Sequence, residues 1–115
     1  MKFIFTLLIL IFSITHASAR DYLITDFGAL GDGLTNNTSS IQLAINKAWE
    51  AGGGKVVIPK GKFISGTIFL KSNVQVYFQK GAKLIGSLNP DDYKKVGKWK
   101  ALIIAHKTSN VSLIG

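Results

Sequence analysis

Residues 52–86 consist of short apolar runs separated by glycine, lysine, serine and asparagine, and this pattern limits the fold more than any other feature of the sequence. Such runs predict short β-strands joined by tight turns. Within residues 73–78, Val74, Val76 and Phe78 alternate with more polar side chains, so one face of this strand is predicted to be buried.

Two short motifs recur along the chain. GKFISG (61–66) recurs as GAKLIG (81–86) after 20 residues, and SNVQV (72–76) recurs as SNVSL (109–113) after 37 residues. The shorter repeat fits one coil of a parallel solenoid, and the longer one fits a coil plus a protruding loop within residues 87–100. An antiparallel sandwich has similar turns, but no Asn-Gly or Asp-Gly pair separates neighbouring strands. The repeats favour an all-β fold, a parallel β-helix.

Residues 37–51 are predicted to form an amphipathic helix that covers the open end of this solenoid. Apolar side chains recur there at the spacing of one helical face: Ile41, Ala44, Ile45, Ala48 and Trp49. Ser39 and Gln42 form a predicted capping box, and Gly52 supplies a left-handed stop. The end of a solenoid needs such a lid. We therefore expect Ile41, Ile45, Ala48 and Trp49 to pack on the first coil.

Three glycines before the helix raise the question of a nucleotide-binding turn. A dinucleotide site needs Gly-x-Gly-x-x-Gly opening directly into a helix, and an acidic residue at the end of the next strand. Here Gly28, Gly31 and Gly33 have the reverse spacing, and the next strand, residues 55–58, ends in Pro-Lys. The glycines are therefore interpreted as turn formers, and no cofactor is expected.

The first 19 residues have the pattern of a secretory signal peptide. Lys2 precedes an apolar run over residues 3–14, and Ala17-Ser18-Ala19 is a small-residue cleavage site. An apolar helix of this length reaches about 18 Å, too short for a hydrocarbon core of about 30 Å. We expect cleavage near Ala19, a secreted or periplasmic protein with no stable membrane insertion, and a mature segment over residues 20–115.

The mature segment has no cysteine and would carry a formal charge of +7, because the signal peptide removes Lys2 from the total of +8. All its cations except Arg20 are lysines. Base recognition favours arginine, so no nucleic-acid partner is expected. The lysines are either solvated turn residues or they give the protein a preference for an anionic extracellular polymer.

The motifs GDGLTNNTSSIQLAI (31–45), GGGKVVIPKG (52–61) and LKSNVQVYFQKGAKLIGS (70–87) resemble the N-terminal segment of glycoside hydrolase family 28, the polygalacturonases and related pectin hydrolases. The resemblance covers nearly all of the mature segment. It implies a right-handed parallel β-helix and hydrolysis of galacturonosidic or related links in an anionic, pectin-like polysaccharide. It also implies inversion by two aspartates, one acting as acid and one activating water.

The catalytic motifs of that family are Asn-x-Asp, Asp-Asp, Gly-His-Gly and Arg-x-Lys, and all lie downstream of the matched part. No catalytic, cofactor-binding or metal-binding residue is therefore assigned in this chain. The chain is expected to be the cap and first coils of a longer protein that is monomeric when full length, and to be inactive alone. The alternative is a non-hydrolytic β-helix, such as a polysaccharide lyase, an epimerase-like protein or a tailspike-like carbohydrate-binding module, since the cap motif is shared among them.

Several polar residues could be mistaken for catalytic groups. Asp91 and Asp92 follow Asn89-Pro90 and are interpreted as the start of a helical turn. His106 is expected to be a surface residue at a strand end, and Asp26 and Asp32 are expected to form turns. Three asparagines begin glycosylation sequons that matter only in a host that glycosylates: Asn36, Asn37 and Asn110.

Overall fold

The computed structural model describes residues 20–115, so the predicted signal peptide over residues 1–19 lies outside the described residues. The described residues form one α-helix, α1, Thr38–Glu50, and short strands along the rest of the chain. The strands are β1 Asp21–Leu23, β2 Asp32–Asn36, β3 Gly54–Ile58, β4 Gly61–Ser65, β5 Ile68–Phe69, β6 Val74–Phe78, β7 Ala82–Gly86, β8 Lys95–Val96, β9 Trp99–Lys100, β10 Ile103–Ile104 and β11 Ser112–Ile114. No helix within residues 20–115 is long and apolar enough to cross a membrane.

Three parallel sheets form the faces of a solenoid. The first sheet has the order β1-β3-β6-β11, the second β2-β4-β7, and the third pairs β5 with β10. Strands β3, β4 and β5 make one coil, and β6, β7 and β10 make the next. The side chains enclosed by the sheets form one core with the helix. The predicted right-handed parallel β-helix with an N-terminal capping helix is confirmed.

The strand registers test the two sequence repeats. Leu113 lies beside Val76, so the repeat of 37 residues is confirmed. The repeat of 20 residues holds in the first sheet, where Val56 lies beside Val76, but Phe63 in the second sheet lies beside Leu84, an offset of 21. The extra residue lies in the turn before β7, which has three residues where the turn before β4 has two. Because of it, Phe63 stacks on Leu84 instead of on Lys83.

Helix α1 covers the first coil with its apolar face. Ile41, Ile45 and Ala48 are fully buried in the core, as predicted. The prediction for Trp49 is wrong, because 47% of this residue is exposed. Trp49 lies about 80° from Ile41 around the helix at 3.6 residues per turn, so it falls at the edge of the apolar stripe.

The start of α1 differs from the predicted capping box. The N-cap is Asn37 rather than Ser39, and the Asn36 side chain accepts from the Thr38 backbone N–H at 2.9 Å. Gln42 faces the solenoid instead: its Oε1 accepts from the Phe69 N–H at 2.7 Å, and its Nε2 donates to the Phe69 carbonyl at 3.0 Å. Gln42 thus satisfies the backbone of β5 on the side where the described residues provide no neighbouring strand.

The end of α1 follows the prediction. Gly52 has a left-handed φ of 93°, its N–H donates to the Trp49 carbonyl, and the Gly53 N–H donates to the Ala48 carbonyl. These two hydrogen bonds form a Schellman motif. The helix therefore stops one turn before β3 begins.

The predicted protruding loop lies between β7 and β10. It contains a 3₁₀ turn, Pro90–Asp92, and an antiparallel hairpin in which Val96 of β8 pairs with Trp99 of β9. The buried Thr67 holds the base of this insert: its hydroxyl donates to the Ala101 carbonyl at 2.6 Å and accepts from the Lys94 N–H at 2.9 Å. The insert, residues 87–102, therefore has a fixed attachment to the solenoid.

Candidate functional site

The glycine-rich loop has a structural role. Gly28, with a φ of 96°, ends a 3₁₀ turn, and a side chain at Gly31 would meet the ring of Phe63 at 2.8 Å. Asn37 is buried and closes the loop, because its side chain accepts from the Leu30 N–H at 2.8 Å and donates to the Leu30 carbonyl at 3.0 Å. Asn37 therefore holds the loop closed by hydrogen bonds to the loop's own backbone.

Asp32 is a turn former, as predicted. Its Oδ1 accepts from the backbone N–H groups of Thr35 and Leu34, and its Oδ2 accepts from the Thr35 hydroxyl at 2.7 Å. These hydrogen bonds, that of the Thr35 N–H first, lower the pKa of Asp32 from 3.8 to about 2. A general acid needs a raised pKa, so this carboxylate is suited to holding the turn and not to proton donation.

The lowered pKa of Asp32 makes its contribution to stability depend on pH. Ionised Asp32 stabilises the fold above its unfolded pKa, and this stabilisation is lost as the pH falls through 3.8 to about 2. Asp32→Asn keeps an oxygen that can accept the two backbone hydrogen bonds but does not titrate. We expect the wild type to melt above Asp32→Asn at pH 6 and the gap in melting temperature to close near pH 2. A gap that stays constant from pH 6 to pH 2 would contradict this role.

The other candidate acids are dispersed. Asn89 accepts from the Asp91 N–H at 3.0 Å and caps the 3₁₀ turn, as predicted, while Asp92 accepts a hydrogen bond from the Ser87 hydroxyl. Asp26 lies exposed in the 3₁₀ turn Ile24–Phe27. His106 is exposed after β10, as predicted. Within residues 20–115, no three acidic or histidine side chains come close enough to hold a metal ion.

The three sequon asparagines have different environments. Asn36 is exposed, whereas Asn37 is 1% exposed and its amide group is hydrogen-bonded. Asn110 adopts a left-handed φ of 56° and donates to the side chain of Asn73, its equivalent on the previous coil, at 3.0 Å. The repeated Asn of the SNV motif therefore forms a ladder at the turn before β6 and β11.

Two surface cavities of about 350 and 440 Å³ lie between α1 and the insert, and Phe69 lines both of them. We name this pair the Phe69 groove. Helix α1 contributes Gln42, Asn46 and Trp49, and the insert contributes Lys94 and Val96.

The Phe69 groove combines aromatic rings with positive charge. Lys71, His106 and Lys107 line the same cavity as Trp49, and Lys94 lines the other. The Lys71 Nζ lies 4.7 Å from the centroid of the Trp49 ring. No acidic side chain lines either cavity, and the two ion pairs among residues 20–115 use Lys47 and Lys55 instead. The groove is therefore suited to an anionic ligand with an apolar face.

Sequence reasoning missed this groove. Its residues are spread over α1, β5, the insert and the segment after β10, and no motif links them. One signal was available in Trp49, because an aromatic residue at the edge of an apolar stripe is a candidate for a surface role. The run KKVGKWK (94–100) was a second signal, since it contains no acidic residue.

The family model described as rhamnogalacturonase A/epimerase, pectate lyase-like matches residues 23–89. The chain belongs to this family. The matched range includes the glycine-rich loop, α1 and the strands as far as β7, so it covers the cap, the first coil and the first two strands of the next coil. This rhamnogalacturonase A/epimerase family is consistent with the resemblance seen in the sequence motifs.

Two relatives represent different chemistries within the pectate lyase-like proteins. The exo-poly-alpha-D-galacturonosidase of Dickeya chrysanthemi is 44% identical over 70 residues, 61% of this chain and 11% of that protein. The mannuronan C5-epimerase AlgE2 of Azotobacter vinelandii is 44% identical over 64 residues, 49% of this chain and 6% of that protein. The chain thus spans about a tenth or less of the length of these relatives.

The matches to solved structures differ in how much of this chain they cover. The family 28 exopolygalacturonase of Yersinia enterocolitica matches 84% of this chain with a TM-score of 0.72 and 34% identity, and the match covers 20% of that chain. The A-module of the mannuronan C-5 epimerase AlgE4 of Azotobacter vinelandii matches 56% of this chain with a TM-score of 0.52 and 38% identity, and covers 21% of that module. More of this chain therefore has the geometry of the exopolygalacturonase.

Proposed function

We propose that this chain is the N-terminal part of a secreted glycoside hydrolase that acts on pectin-type polysaccharide. Its own role is to close the solenoid and to provide the first coils on which further coils stack. The reaction is hydrolysis of galacturonosidic or related links with inversion, by two aspartates about 6.5 to 9.5 Å apart, as the family resemblance implies. These aspartates would lie outside residues 20–115, whose carboxylates are dispersed.

The observation that carries this proposal is the extent of the structural match. The exopolygalacturonase matches 84% of the chain, whereas the epimerase module matches 56%. A cap is common to many β-helix proteins, so similarity confined to it says little about chemistry. The wider match favours the hydrolase, and the names of the similar proteins favour attack at a chain end.

The second candidate is an epimerase of an anionic uronan. It is favoured by one observation, the 44% identity to the mannuronan C5-epimerase over 64 residues. Both candidates share an anionic, uronate-containing polysaccharide as substrate. They differ in whether a glycosidic link is broken.

A comparison of two polypeptides tests the proposal. The protein made from the complete reading frame is incubated with polygalacturonate beside the polypeptide of residues 20–115, and reducing ends are measured. We expect the complete protein to release reducing ends and the shorter polypeptide to release none. Turnover by residues 20–115 alone would overturn the division of roles. If the complete protein releases no reducing ends from polygalacturonate but changes the uronate composition of polymannuronate in a parallel incubation, the epimerase replaces the hydrolase.

A further inference from the structure

We propose that the Phe69 groove is a binding subsite for an acidic oligosaccharide, with Trp49 as the platform for a sugar ring and Lys71, Lys94 and Lys107 as the partners of its carboxylates. This inference deepens the proposed function and rests on it for the choice of uronate. The groove is lined by residues within the described range 20–115.

The exposure of Trp49 is the first reason. The residue projects from a helix whose apolar stripe is buried at Ile41, Ile45 and Ala48, and 47% of Trp49 is exposed beside a cavity. An indole ring gives a large, rigid contact area and attracts cations to its face. The apolar C–H face of a pyranose ring fits such a surface, and Ser72 and Asn46 provide polar groups on the walls of the two cavities.

The backbone of Lys107 is the second reason. Lys107 has a φ of 52°, in the left-handed region that non-glycine residues rarely adopt. The other two such residues, Asn73 and Asn110, are of a type that tolerates this region, and their side chains bond each other. Lysine has neither advantage. Strain of this kind at the wall of a groove is characteristic of binding sites.

The charge of the groove selects the class of ligand. Three lysines and one histidine line it without an acidic side chain. A uronate sugar supplies both features that the walls match, a carboxylate for the lysines and an apolar ring face for Trp49. Nucleic acid fits less well, because recognition of phosphates and bases favours arginine forks, and no arginine lines the groove.

Lysine footprinting on the complete protein tests the assignment locally. The protein is acetylated with and without trigalacturonate, and the labelling of each lysine is measured by mass spectrometry. We expect trigalacturonate to protect Lys71, Lys94 and Lys107 and to leave Lys62 and Lys83 unprotected. Lys62 and Lys83 are exposed neighbours on the second sheet, away from the groove. Trigalacturonate methyl ester, which lacks the charges, is expected to protect none of these lysines.

Two double variants provide a matched comparison. Lys71→Ala/Lys107→Ala and Lys62→Ala/Lys83→Ala remove the same total charge, so they alter the long-range field of the protein similarly. With Lys94 protection as the readout, we expect the first variant to bind trigalacturonate about tenfold more weakly, as for the loss of a charge-assisted hydrogen bond. The second should bind as the wild type does. Trp49→Ala should also weaken binding.

The outcomes separate this inference from the proposed function. Equal labelling of Lys71 and Lys107 with and without trigalacturonate, or uniform protection of all lysines, would overturn the subsite. If the same preparation still releases reducing ends from polygalacturonate, the hydrolase stands without the subsite. If a trimannuronate protects the groove lysines and trigalacturonate does not, an acidic-sugar subsite stands and the pectin substrate fails. Protection by inorganic phosphate equal to that by trigalacturonate would show a general anion site and overturn the assignment.

Discussion

Replacing Ile45 with alanine is expected to lower the free energy of unfolding by about 2 to 5 kcal/mol, because the side chain is fully buried where α1 packs on the first coil. The same buried cluster contains Ile41 of the helix and Val56 of β3. The truncation leaves a cavity between the helix and the sheets. Urea unfolding of the complete protein, followed by circular dichroism, measures the loss.

Trp49→Ala is the control for this prediction on the same helix. Trp49 is larger than Ile45 but half exposed, and its identified partner is Lys71. We expect its loss to cost at most about 1 kcal/mol. If Trp49→Ala cost as much as Ile45→Ala, the ring would be part of the lid and the role assigned to it in the Phe69 groove would be wrong.

Replacing Gly66 with alanine is expected to displace the insert and to destabilise the protein by about 1 to 3 kcal/mol. A Cβ at Gly66 would lie 1.9 Å from the Asp92 carbonyl oxygen and 2.8 Å from the carbonyl carbon. The glycine cannot retreat easily, because its N–H donates to the Thr38 hydroxyl at 2.7 Å. The Thr67 N–H bond to the Asp92 carbonyl is therefore expected to break.

Limited trypsin digestion measures this displacement separately from global stability. The insert contains four lysines, Lys94, Lys95, Lys98 and Lys100, at which trypsin can cleave once the segment is loosened. We expect faster cleavage there in Gly66→Ala and weaker trigalacturonate protection of Lys71 and Lys107. Leu88→Ala is the control, since Leu88 lies in the same insert and is fully exposed. Unchanged cleavage in Gly66→Ala would mean that the insert tolerates the added methyl group.

The architecture could be predicted from the sequence because local sequence patterns recur in successive coils of the solenoid. The apolar alternation of Val74 and Val76 and the recurrence of SNV are local patterns, and both correspond to registers in the structure. The offset of the second sheet was missed because matching glycines concealed the longer turn before β7. A one-residue difference in a turn changes the register without changing the composition.

The N-cap of the helix and the role of Gln42 could not be predicted from the sequence, because both depend on tertiary contacts. Asn37 could not be recognised as the N-cap, because its side chain is occupied by the backbone of Leu30, seven residues away. Gln42 had the spacing of a capping box, but its side-chain amide instead forms two hydrogen bonds with the backbone of Phe69 at the edge of β5. The Phe69 groove was hidden for the same reason, since the fold brings Trp49, Lys71 and Lys107 together across more than 50 residues of sequence.

The most direct measurement is proton nuclear magnetic resonance of polygalacturonate during incubation with the complete protein. Hydrolysis with inversion gives new reducing-end signals whose first anomer is opposite to that of the cleaved link, and it gives no unsaturated sugar. We expect that pattern. Signals of a 4,5-unsaturated uronate would identify a lyase. In a parallel incubation with polymannuronate, an inverted C5 without new chain ends would identify an epimerase. Either result would contradict the proposal that this chain belongs to a pectin hydrolase.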